Sequence, residues 1–346
     1  MKIWLTQTGE GYPFQKGENL MRTGVLAEEL CSRGHDLTWW GSTFYHARKE
    51  VLFNSPINLQ IRDNYKIHLL QGFPYSKNVS LRRYLHHKKI GLQFRKQAPL
   101  EPVPDIIVVS MPPNDLAYEA VKYAKKRGIP VVADIRDLWP DDFLDFLASW
   151  VRPIAKIALF EDYRRRRFVL NEVDSLIAVS NGFLEWGLSF TNRTIKNSDK
   201  IFYLGASKGV GISSLTEGSD IKNLMDALRG KKVFVFLGTF GKSYELSLLV
   251  KMAKKINAQG FDDTCFVFAG SGETFNDIRK SVKGLSNVYL PGWLNGEEIA
   301  TLLSVSYVGM VPCRSRPNTI NNKPMQYLSF GLPLISSLEG EMTGII

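Results

Sequence analysis

Two short stretches of the sequence carry residue types and spacings that suit chemistry on an anion. In the first, Asn322 and Lys323 precede a short predicted helix over residues 325–330, which Gly331 stops. The first N–H groups of a helix have no partner within the helix, so a lysine beside them favours an anion such as a phosphate. A polar helix start on an ordinary surface is the alternative.

The second stretch is Arg136-Asp137, directly after a predicted strand over residues 131–134. Ligands of open α/β sheets bind beyond the carboxyl ends of the strands, so position alone makes this pair a candidate site. The alternative is a surface ion pair with Trp139 packed inside, and an exposed pair would contribute only about 0–1 kcal/mol of stability.

The chain alternates strand-like and helix-like segments, which is the pattern of parallel sheets flanked by helices. In the first half, strands are predicted at residues 2–8, 35–40, 57–61, 65–70, 104–110, 131–134 and 174–180. Residues 205–230 are mostly small or polar at their start and predict a linker. The rhythm then restarts, with strands at residues 233–237, 265–269, 287–290 and 307–311. We therefore predict an α/β protein with one domain over residues 1–204 and a second over residues 231–346.

Small or flexible residues follow the strands of the second domain at one edge of its predicted sheet. They are Gly238 with Thr239, Gly270 with Gly272, Gly292 with Trp293, and Pro312. The first loop of the chain, Gly9-Glu10-Gly11-Tyr12, also suits contact with a phosphate. It is not a dinucleotide fingerprint, because no acidic residue ends the second strand, where Trp39 and Trp40 stand instead.

The composition is that of an ordinary globular protein, with 44% hydrophobic and 23% charged residues in 346, enough for two domains. No apolar run is long enough to predict a transmembrane helix or a signal peptide. The cysteines Cys31, Cys265 and Cys313 form no ligand-spaced pair, which fits a reducing cytoplasm and argues against zinc. The net charge of +10 favours an anionic partner, either nucleic acid or an anionic membrane. No nucleic-acid-binding motif is present, so no nucleic-acid partner is expected.

Residues 80–97 form the most basic segment, with six lysines and arginines and no acidic residue. Apolar residues such as Leu81, Leu85 and Phe94 interleave with the cations, so a helix is predicted. One interpretation is a solvated helix that covers the sheet. The other is an interfacial helix that docks on anionic lipid through Arg82, Arg83, Lys88 and Lys89, and the arginines 164–167 extend the cationic surface.

Three motifs resemble glycosyltransferase family 4, particularly its members from bacterial surface-polysaccharide (capsule and O-antigen) biosynthesis. The run Asn322-Lys323-x-x-Gln326-Tyr327-Leu328-x-x-Gly331-x-Pro333 is similar to their nucleotide-sugar site, and Arg136-Asp137-Leu138-Trp139-Pro140 recurs among them. The helix end Leu30-x-x-Arg33-Gly34-His35 resembles their N-terminal domain. The family's two glutamates, separated by seven residues, fall on Asn318 and Gln326 in this chain.

The resemblance implies the GT-B fold, in which two Rossmann-like domains with parallel sheets face an interdomain cleft. The chain ends some tens of residues before the family's usual end, so the C-terminal domain is expected to be incomplete. The implied reaction transfers a sugar from a UDP- or GDP-linked donor to a hydroxyl of a lipid-linked saccharide acceptor, with retention of configuration and without a metal or cofactor. The implied location is the cytoplasm, peripherally on the inner face of the cell membrane.

The resemblance also implies roles for individual residues. The catalytic candidates are Arg136, Asp137 and Asn318. The donor-binding candidates are Gly238, Thr239, Lys242, Gly270, Gly272, Trp293, Leu294, Asn322, Lys323 and Gln326. The acceptor-side candidates are Glu10, Gly11, Tyr12, Arg22 and His46, each of which could equally be a cap, surface or solvated group.

Three other functions stay open at this point. A sugar-nucleotide epimerase shares the fold but would need catalytic carboxylates that the sequence does not show. A binding or partner subunit without turnover is favoured by Asn318 and Gln326 at the positions of the two glutamates. A nucleic-acid binder would show steeply salt-dependent binding to random DNA.

Overall fold

The computed structural model describes residues 1–15, 20–77, 80–141, 144, 147–205, 220–241, 244–313 and 322–345. The chain forms two compact units. The first holds Met1–Phe14 and Leu20–Tyr203, and the second holds the described residues from Leu204 onward.

The first unit is built on an eight-stranded sheet in the order β10-β9-β8-β7-β1-β2-β6-β5. All neighbouring strands are parallel except β5 and β6, which pair as an antiparallel hairpin. The sheet strands are β1 Lys2–Thr6, β2 Asp36–Ser42, β5 Ile57–Arg62, β6 Tyr65–Leu70, β7 Ile106–Met111, β8 Val131–Ile135, β9 Ser175–Ala178 and β10 Lys200–Ile201. A separate small hairpin pairs β3 Phe44–Tyr45 with β4 Glu50–Val51. The strands predicted for this half are confirmed, with ends that differ by a few residues.

Helices flank this sheet, and all of them except Arg152–Ala158 bury residues of one face. Their bounds are Arg22–Ser32, Leu81–Gln97, Asn114–Lys125, Arg152–Ala158, Phe160–Glu172 and Asn181–Leu188, with a short 3-10 turn at Ala98–Leu100. Large aromatic side chains fill the space between the layers, and Trp4, Trp39 and Trp40 are almost completely buried. The two tryptophans that end the second predicted strand are therefore core residues.

The second unit has a five-stranded, all-parallel sheet in the order β13-β12-β11-β14-β15. Its strands are β11 Lys232–Leu237, β12 Thr264–Ala269, β13 Val288–Gly292, β14 Val308–Val311 and β15 Leu334–Ser336. Its helices are Asp220–Leu228, Leu246–Ala258, Phe275–Ser281, Gly296–Ser304, Asn322–Ser329 and Glu341–Ile345. Because the strands are parallel, their carboxyl ends meet at one edge, and the loops that follow lie together there.

The predicted linker over residues 205–230 is wrong in its second half. Asp220–Leu228 is a helix that buries Ile221, Leu224 and Leu228 in the core of the second unit. These residues recur at three- and four-residue spacing, which is the signal of an amphipathic helix. The polar residues before Asp220 obscured it.

Among the described residues, no helix is both long and apolar enough to cross a membrane. The same residues contain no group of three or more His, Cys, Asp or Glu side chains that could hold a metal ion.

Candidate functional site

Glycines bring the loops after β11 and β12 into close contact at the carboxyl edge of the second unit's sheet. Gly238, Gly270 and Gly272 all have φ between 138° and 151°, a conformation that disfavours any side chain. A Cβ atom on Gly270 would lie 1.8 Å from the Gly238 carbonyl oxygen, and one on Gly272 would lie 2.5 Å from that of Phe240. Only glycine fits these positions, so the sequence pattern reflects backbone packing at this edge.

Lys323 points into the same edge from the helix Asn322–Ser329. A Cβ atom on Gly238 would lie 2.0 Å from Lys323 Cε, so the lysine stem occupies the space that Gly238 leaves open. The lysine Nζ donates a hydrogen bond to the Tyr244 hydroxyl and lies 4.0 Å from the centre of the Tyr244 ring. The Phe236 ring centre is 5.9 Å away. The cation is therefore surrounded by aromatic rings and glycine backbone.

Tyr327 holds the helix in this position. It lies four residues after Lys323 and hence on the same helical face. The Tyr327 side chain is fully buried, and its hydroxyl accepts a 2.8 Å hydrogen bond from the N–H of Leu237, the last residue of β11. The ring packs on Gly309, where a Cβ atom would lie 2.4 Å from it. The short helix is thus fixed to the strand that leads to Gly238.

The environment of Lys323 is suited to an anion. Burial lowers the pKa of Lys323 to about 8. The contacts of its Nζ within the described part of the chain are the Tyr244 hydroxyl and two aromatic rings, and none of these is a carboxylate. A half-buried cation whose described neighbours include no carboxylate favours an anion, and a phosphate would supply that charge.

The other donor-side candidates differ in how far their side chains are exposed to solvent. Thr239, Trp293 and Asn322 are exposed, and Gln326 is half-buried. Leu294 is buried in the core of the unit, so only its backbone can face a ligand. Lys242 and Asn318 lie outside the described residues.

In the first unit, Arg136 is the centre of a buried ionic network at the end of β8. Its Nε donates to Asp134 Oδ2 at 2.7 Å, and its Nη1 donates to Glu10 Oε1 and, at 2.9 Å, to Thr23 Oγ1. Arg22 donates to both oxygens of Asp134 at 2.9 and 3.1 Å. Burial lowers the pKa of Arg136, but Asp134 and Glu10 outweigh this effect and raise it. The network therefore joins two arginines and two carboxylates, with Asp134 between Arg22 and Arg136 and Glu10 bound to Arg136.

Asp134 and Thr23 are parts of this network that sequence reasoning missed. Asp134 is 1% exposed, and it stood in the predicted strand as the one acidic residue of an otherwise apolar run. A buried carboxylate requires a partner, so that isolated acid was the available signal. Glu10 also accepts a 2.8 Å hydrogen bond from the Thr23 N–H, which joins the first loop to the following helix.

Asp137 does not pair with Arg136. Its side chain is exposed, and Oδ1 accepts a 2.9 Å hydrogen bond from the Leu138 N–H. The alternative of a surface ion pair between these neighbours is therefore wrong, because Arg136 turns inward to Glu10 and Asp134.

The acceptor-side role expected for Tyr12 is wrong as well. Tyr12 is 0% exposed, stacks on Phe14 and packs against Trp39. Its hydroxyl accepts a 2.7 Å hydrogen bond from the Ser42 N–H and donates to the Ser42 carbonyl at 3.1 Å. The side chain has no surface for a ligand and stabilises the core. Gly11 beside it is also buried, whereas His46 is half-buried and contacts Tyr75.

Comparison with known proteins shows which family the second unit resembles. Residues 231–346 match a family model described as glycosyl transferases group 1. No curated protein sequence matches the chain.

The whole chain also resembles solved structures. Sucrose-phosphate synthase from Thermosynechococcus elongatus superposes with a TM-score of 0.69 at 14% identity, over 100% of this chain and 83% of that one. Anabaena HepE in complex with UDP and glucose gives 0.64 at 14% identity, over 100% and 83%. WaaG, a glycosyltransferase of lipopolysaccharide biosynthesis, gives 0.59 at 11% identity, over 96% and 80%. These likenesses confirm the GT-B fold.

Proposed function

We propose that the protein is a GT-B glycosyltransferase that transfers a sugar from a nucleotide-sugar donor to a hydroxyl acceptor. The observation that carries the proposal is Lys323, a half-buried cation at the glycine-lined edge of the second sheet, whose contacts among the described residues include no carboxylate. The family model covers this unit, and the HepE structure was solved with UDP. Both support a nucleoside diphosphate as the anion that Lys323 binds.

In this proposal, Lys323 and the N–H groups that begin its helix neutralise the diphosphate as the bond to the sugar breaks. Preorganised donors of this kind stabilise the developing negative charge, so the reaction needs no metal ion. The glycine backbone at positions 238, 270 and 272 allows the phosphates to approach closely. The nucleobase lies near Trp293, and the Gln326 side chain, which is neutral, accepts a hydrogen bond from a ribose hydroxyl.

Arg136 is a positioning residue in this proposal. Its guanidinium is committed to Glu10 and Asp134, so it orders the first loop and the end of β8. Asp137, which is exposed beside it, is the carboxylate that remains free to meet the reacting sugar. The reaction proceeds with retention of configuration.

Calorimetry of the intact protein with UDP and GDP tests the donor site. We expect saturable binding of at least one of the two nucleotides. Absence of binding to both would contradict the proposed function, because the nucleoside diphosphate that leaves the sugar would have no binding site.

A second candidate function is a nucleotide-sugar-binding subunit without turnover. The observation in its favour is that Gln326 and Asn318 replace the two glutamates of the resemblance. This candidate predicts donor binding without release of nucleoside diphosphate. A turnover measurement therefore separates the two functions.

The proposed acceptor is a lipid-linked saccharide of surface-polysaccharide biosynthesis, which requires contact with the inner face of the membrane. The docking surface expected from the sequence needs correction. Lys88 lies 3.5 Å from Asp115, and Arg83 lies over the Trp139 ring, so both are half-buried and make contacts within the unit. Arg165 and Arg166 pair with Asp115 and Asp141.

The helix Arg152–Ala158 offers a better docking surface, because none of its residues is buried. Four large apolar side chains in and beside it are exposed by 62–77%, namely Trp150, Ile154, Ile157 and Phe160. The cations Arg152 and Lys156 alternate with them, which suits an anionic bilayer.

We expect the double substitution Ile154→Ser, Ile157→Ser to weaken binding to anionic vesicles by roughly tenfold or more, because each buried isoleucine contributes about 1.5–3 kcal/mol. Vesicle co-sedimentation at several salt concentrations measures this. Ile195→Ser is the matched control, since Ile195 is 63% exposed in the same unit. Equal capture by neutral and anionic vesicles would contradict membrane docking by charge.

A further inference from the structure

A second group of basic side chains lies in the first unit and shares no residue with the network of Arg136. Three elements contribute to it: the turn between β3 and β4, the loop after β6, and the helix Leu81–Gln97. The side chains are His46, Lys49, Tyr75, Arg83, His86 and His87, and we call them the basic cluster. The sequence singled out His46 and Arg83 for other roles, whereas Lys49, His86 and His87 were not singled out individually.

The basic cluster is held in place by specific contacts. The hydroxyl of Tyr75 lies 2.6 Å from His46 Nδ1, and Lys49 Nζ donates to the His46 carbonyl oxygen at 2.8 Å. His86 Nδ1 lies 2.9 Å from the Phe73 carbonyl oxygen. The His86 ring packs against Gly72, where a Cβ atom would lie only 2.1 Å from it. The imidazoles are thus positioned by the fold before any ligand arrives.

The backbone at Lys49 supports a functional reason for this arrangement. Lys49 has φ 57°, and it is the one described non-glycine residue with a positive φ. Such a conformation is uncommon for a side-chain-bearing residue and persists only where the surroundings enforce it. It brings Lys49 Nζ back over the His46 ring, 3.2 Å from Nδ1, and 5.1 Å from the centre of the Tyr75 ring.

No carboxylate compensates the charge of Lys49 within the part of the chain that the structure describes. Its Nζ contacts the His46 carbonyl and ring and the Tyr75 ring. Burial, followed by the charge of Arg83, lowers the pKa of His46 to about 3 and that of Lys49 to about 8. Burial also lowers the pKa of His86 to about 4. Burial thus keeps the two imidazoles neutral, and Lys49 and Arg83 are the cations of the cluster.

His87 provides an unused polar group in the same place. It is 8% exposed, its ring centre lies 5.9 Å from that of His86, and no hydrogen bond to its ring occurs among the described residues. Burial, and then the charge of Arg83, lowers the pKa of His87. An imidazole nitrogen that no described residue occupies can share a proton with a ligand oxygen.

We infer that the basic cluster is a phosphate-binding site in which Lys49, Arg83, His46 and His87 contact the oxygens of one phosphate or diphosphate group. His86 packs beside them, with its two ring nitrogens engaged by the Phe73 carbonyl and Ser42 Oγ. A phosphate supplies negative charge and several acceptor oxygens, which match this set of donors. The source of the phosphate rests on the proposed function: a lipid-linked acceptor carries a diphosphate between its lipid and its saccharide. The cluster would thus hold the acceptor by the part that is common to all such lipids.

Histidine NMR of the intact protein tests the site directly, because the chain has only five histidines. On addition of inorganic pyrophosphate, we expect the imidazole signals of His46, His86 and His87 to shift and the pKa of His46 to rise, since a nearby anion favours the charged form. His35 and His68 should be unchanged. This readout uses the unmodified protein, so it does not depend on a variant that folds. If the three signals stay unchanged at millimolar pyrophosphate, the site does not exist.

A lysine pair provides the matched variants. We expect Lys49→Met to weaken pyrophosphate binding by roughly ten- to a hundredfold, as the loss of a charge-assisted hydrogen bond would. Lys125→Met, an exposed lysine of the same unit, should leave it unchanged. Equal effects of the two substitutions would show nonspecific attraction and overturn the inference. Lys323→Met should leave the three histidine shifts intact, so failure of this site and failure of the donor site are distinguishable.

Three further ligands identify the source of the phosphate. Geranyl diphosphate should bind more tightly than pyrophosphate, and inorganic phosphate more weakly, if the cluster serves a lipid-linked acceptor. Vesicles of phosphatidylglycerol should leave the three imidazole signals unchanged. Shifts caused by the vesicles but not by geranyl diphosphate would assign the cluster to a lipid headgroup and overturn the acceptor role.

Discussion

Replacing Arg136 by methionine should lower the free energy of unfolding by about 3–5 kcal/mol, the usual cost of removing one partner from a buried ion pair. Methionine retains the volume of the side-chain stem but leaves Glu10 without its cation. Asp134 would keep Arg22 as its only arginine. Urea unfolding of the variant and the wild type measures the difference.

Two further variants show whether charge is the reason. Glu10→Gln added to Arg136→Met should recover part of the loss, because a neutral amide at position 10 no longer needs a buried cation. Asp137→Asn, at an exposed neighbouring position, should change stability by no more than about 0.5 kcal/mol. A loss below about 1 kcal/mol for Arg136→Met would mean that the network behaves as a solvated surface pair.

Asp137→Asn also tests the proposed catalytic role of Asp137. If turnover and donor binding both stay intact in this variant, Asp137 is not part of the site.

Replacing Lys323 by methionine should weaken binding of the nucleoside diphosphate by about 1.5–3 kcal/mol, which is roughly ten- to a hundredfold. The aliphatic stem between Gly238 and Tyr244 is retained, so the loss reports the charge. Calorimetry measures it, and Lys251→Met, on an exposed face of the same unit, is the control. Unchanged affinity would exclude Lys323 from the donor site.

The pH dependence provides a second test of Lys323. Its pKa of about 8 in the free protein means that the lysine loses its proton near that pH. A diphosphate is already fully ionised there, because its last pKa is about 6. Affinity should therefore fall as the pH rises through about 8 and should stay level for Lys323→Arg.

The stability of the ligand-free protein should change in the opposite direction. The folded-state pKa of Lys323, about 8, lies below the ordinary value of 10.5. Unfolding therefore takes up a proton between these pH values, and stability rises with pH across that window. The rise should be smaller in Lys323→Met.

Much of the fold follows from local patterns in the sequence. Continuous apolar runs such as residues 233–237 became buried strands, and the glycines after them met at one edge, as parallel strands require. Lys323 could be predicted from the sequence because a helix start and a glycine loop meet at the carboxyl edge of a parallel sheet. A cation at such a helix start therefore lies close to the loop. Its contact with Tyr244, by contrast, joins residues 79 positions apart, and no local pattern shows it.

The side-chain partners could not be predicted for the same reason. Glu10 and Arg136 are 126 residues apart, and Arg22 and Asp134 are 112 apart. The helix Leu81–Gln97 shows a related error. Its cations predicted a membrane-docking surface, but their number could not reveal that Lys88 faces Asp115. Which charges face inward depends on the packing of one helix on another, and a sequence gives the face only where the apolar pattern is clear.

The most direct test of the account is turnover. The intact protein is incubated with UDP- and GDP-sugars, with and without a lipid-linked acceptor, and released nucleoside diphosphate is measured beside the Lys323→Met variant. A glycosyltransferase should release diphosphate from at least one donor, faster with an acceptor, and the variant should be slower by roughly tenfold or more. Binding of a donor without any release, in the wild type and the variant alike, would contradict sugar transfer and leave a nucleotide-binding protein.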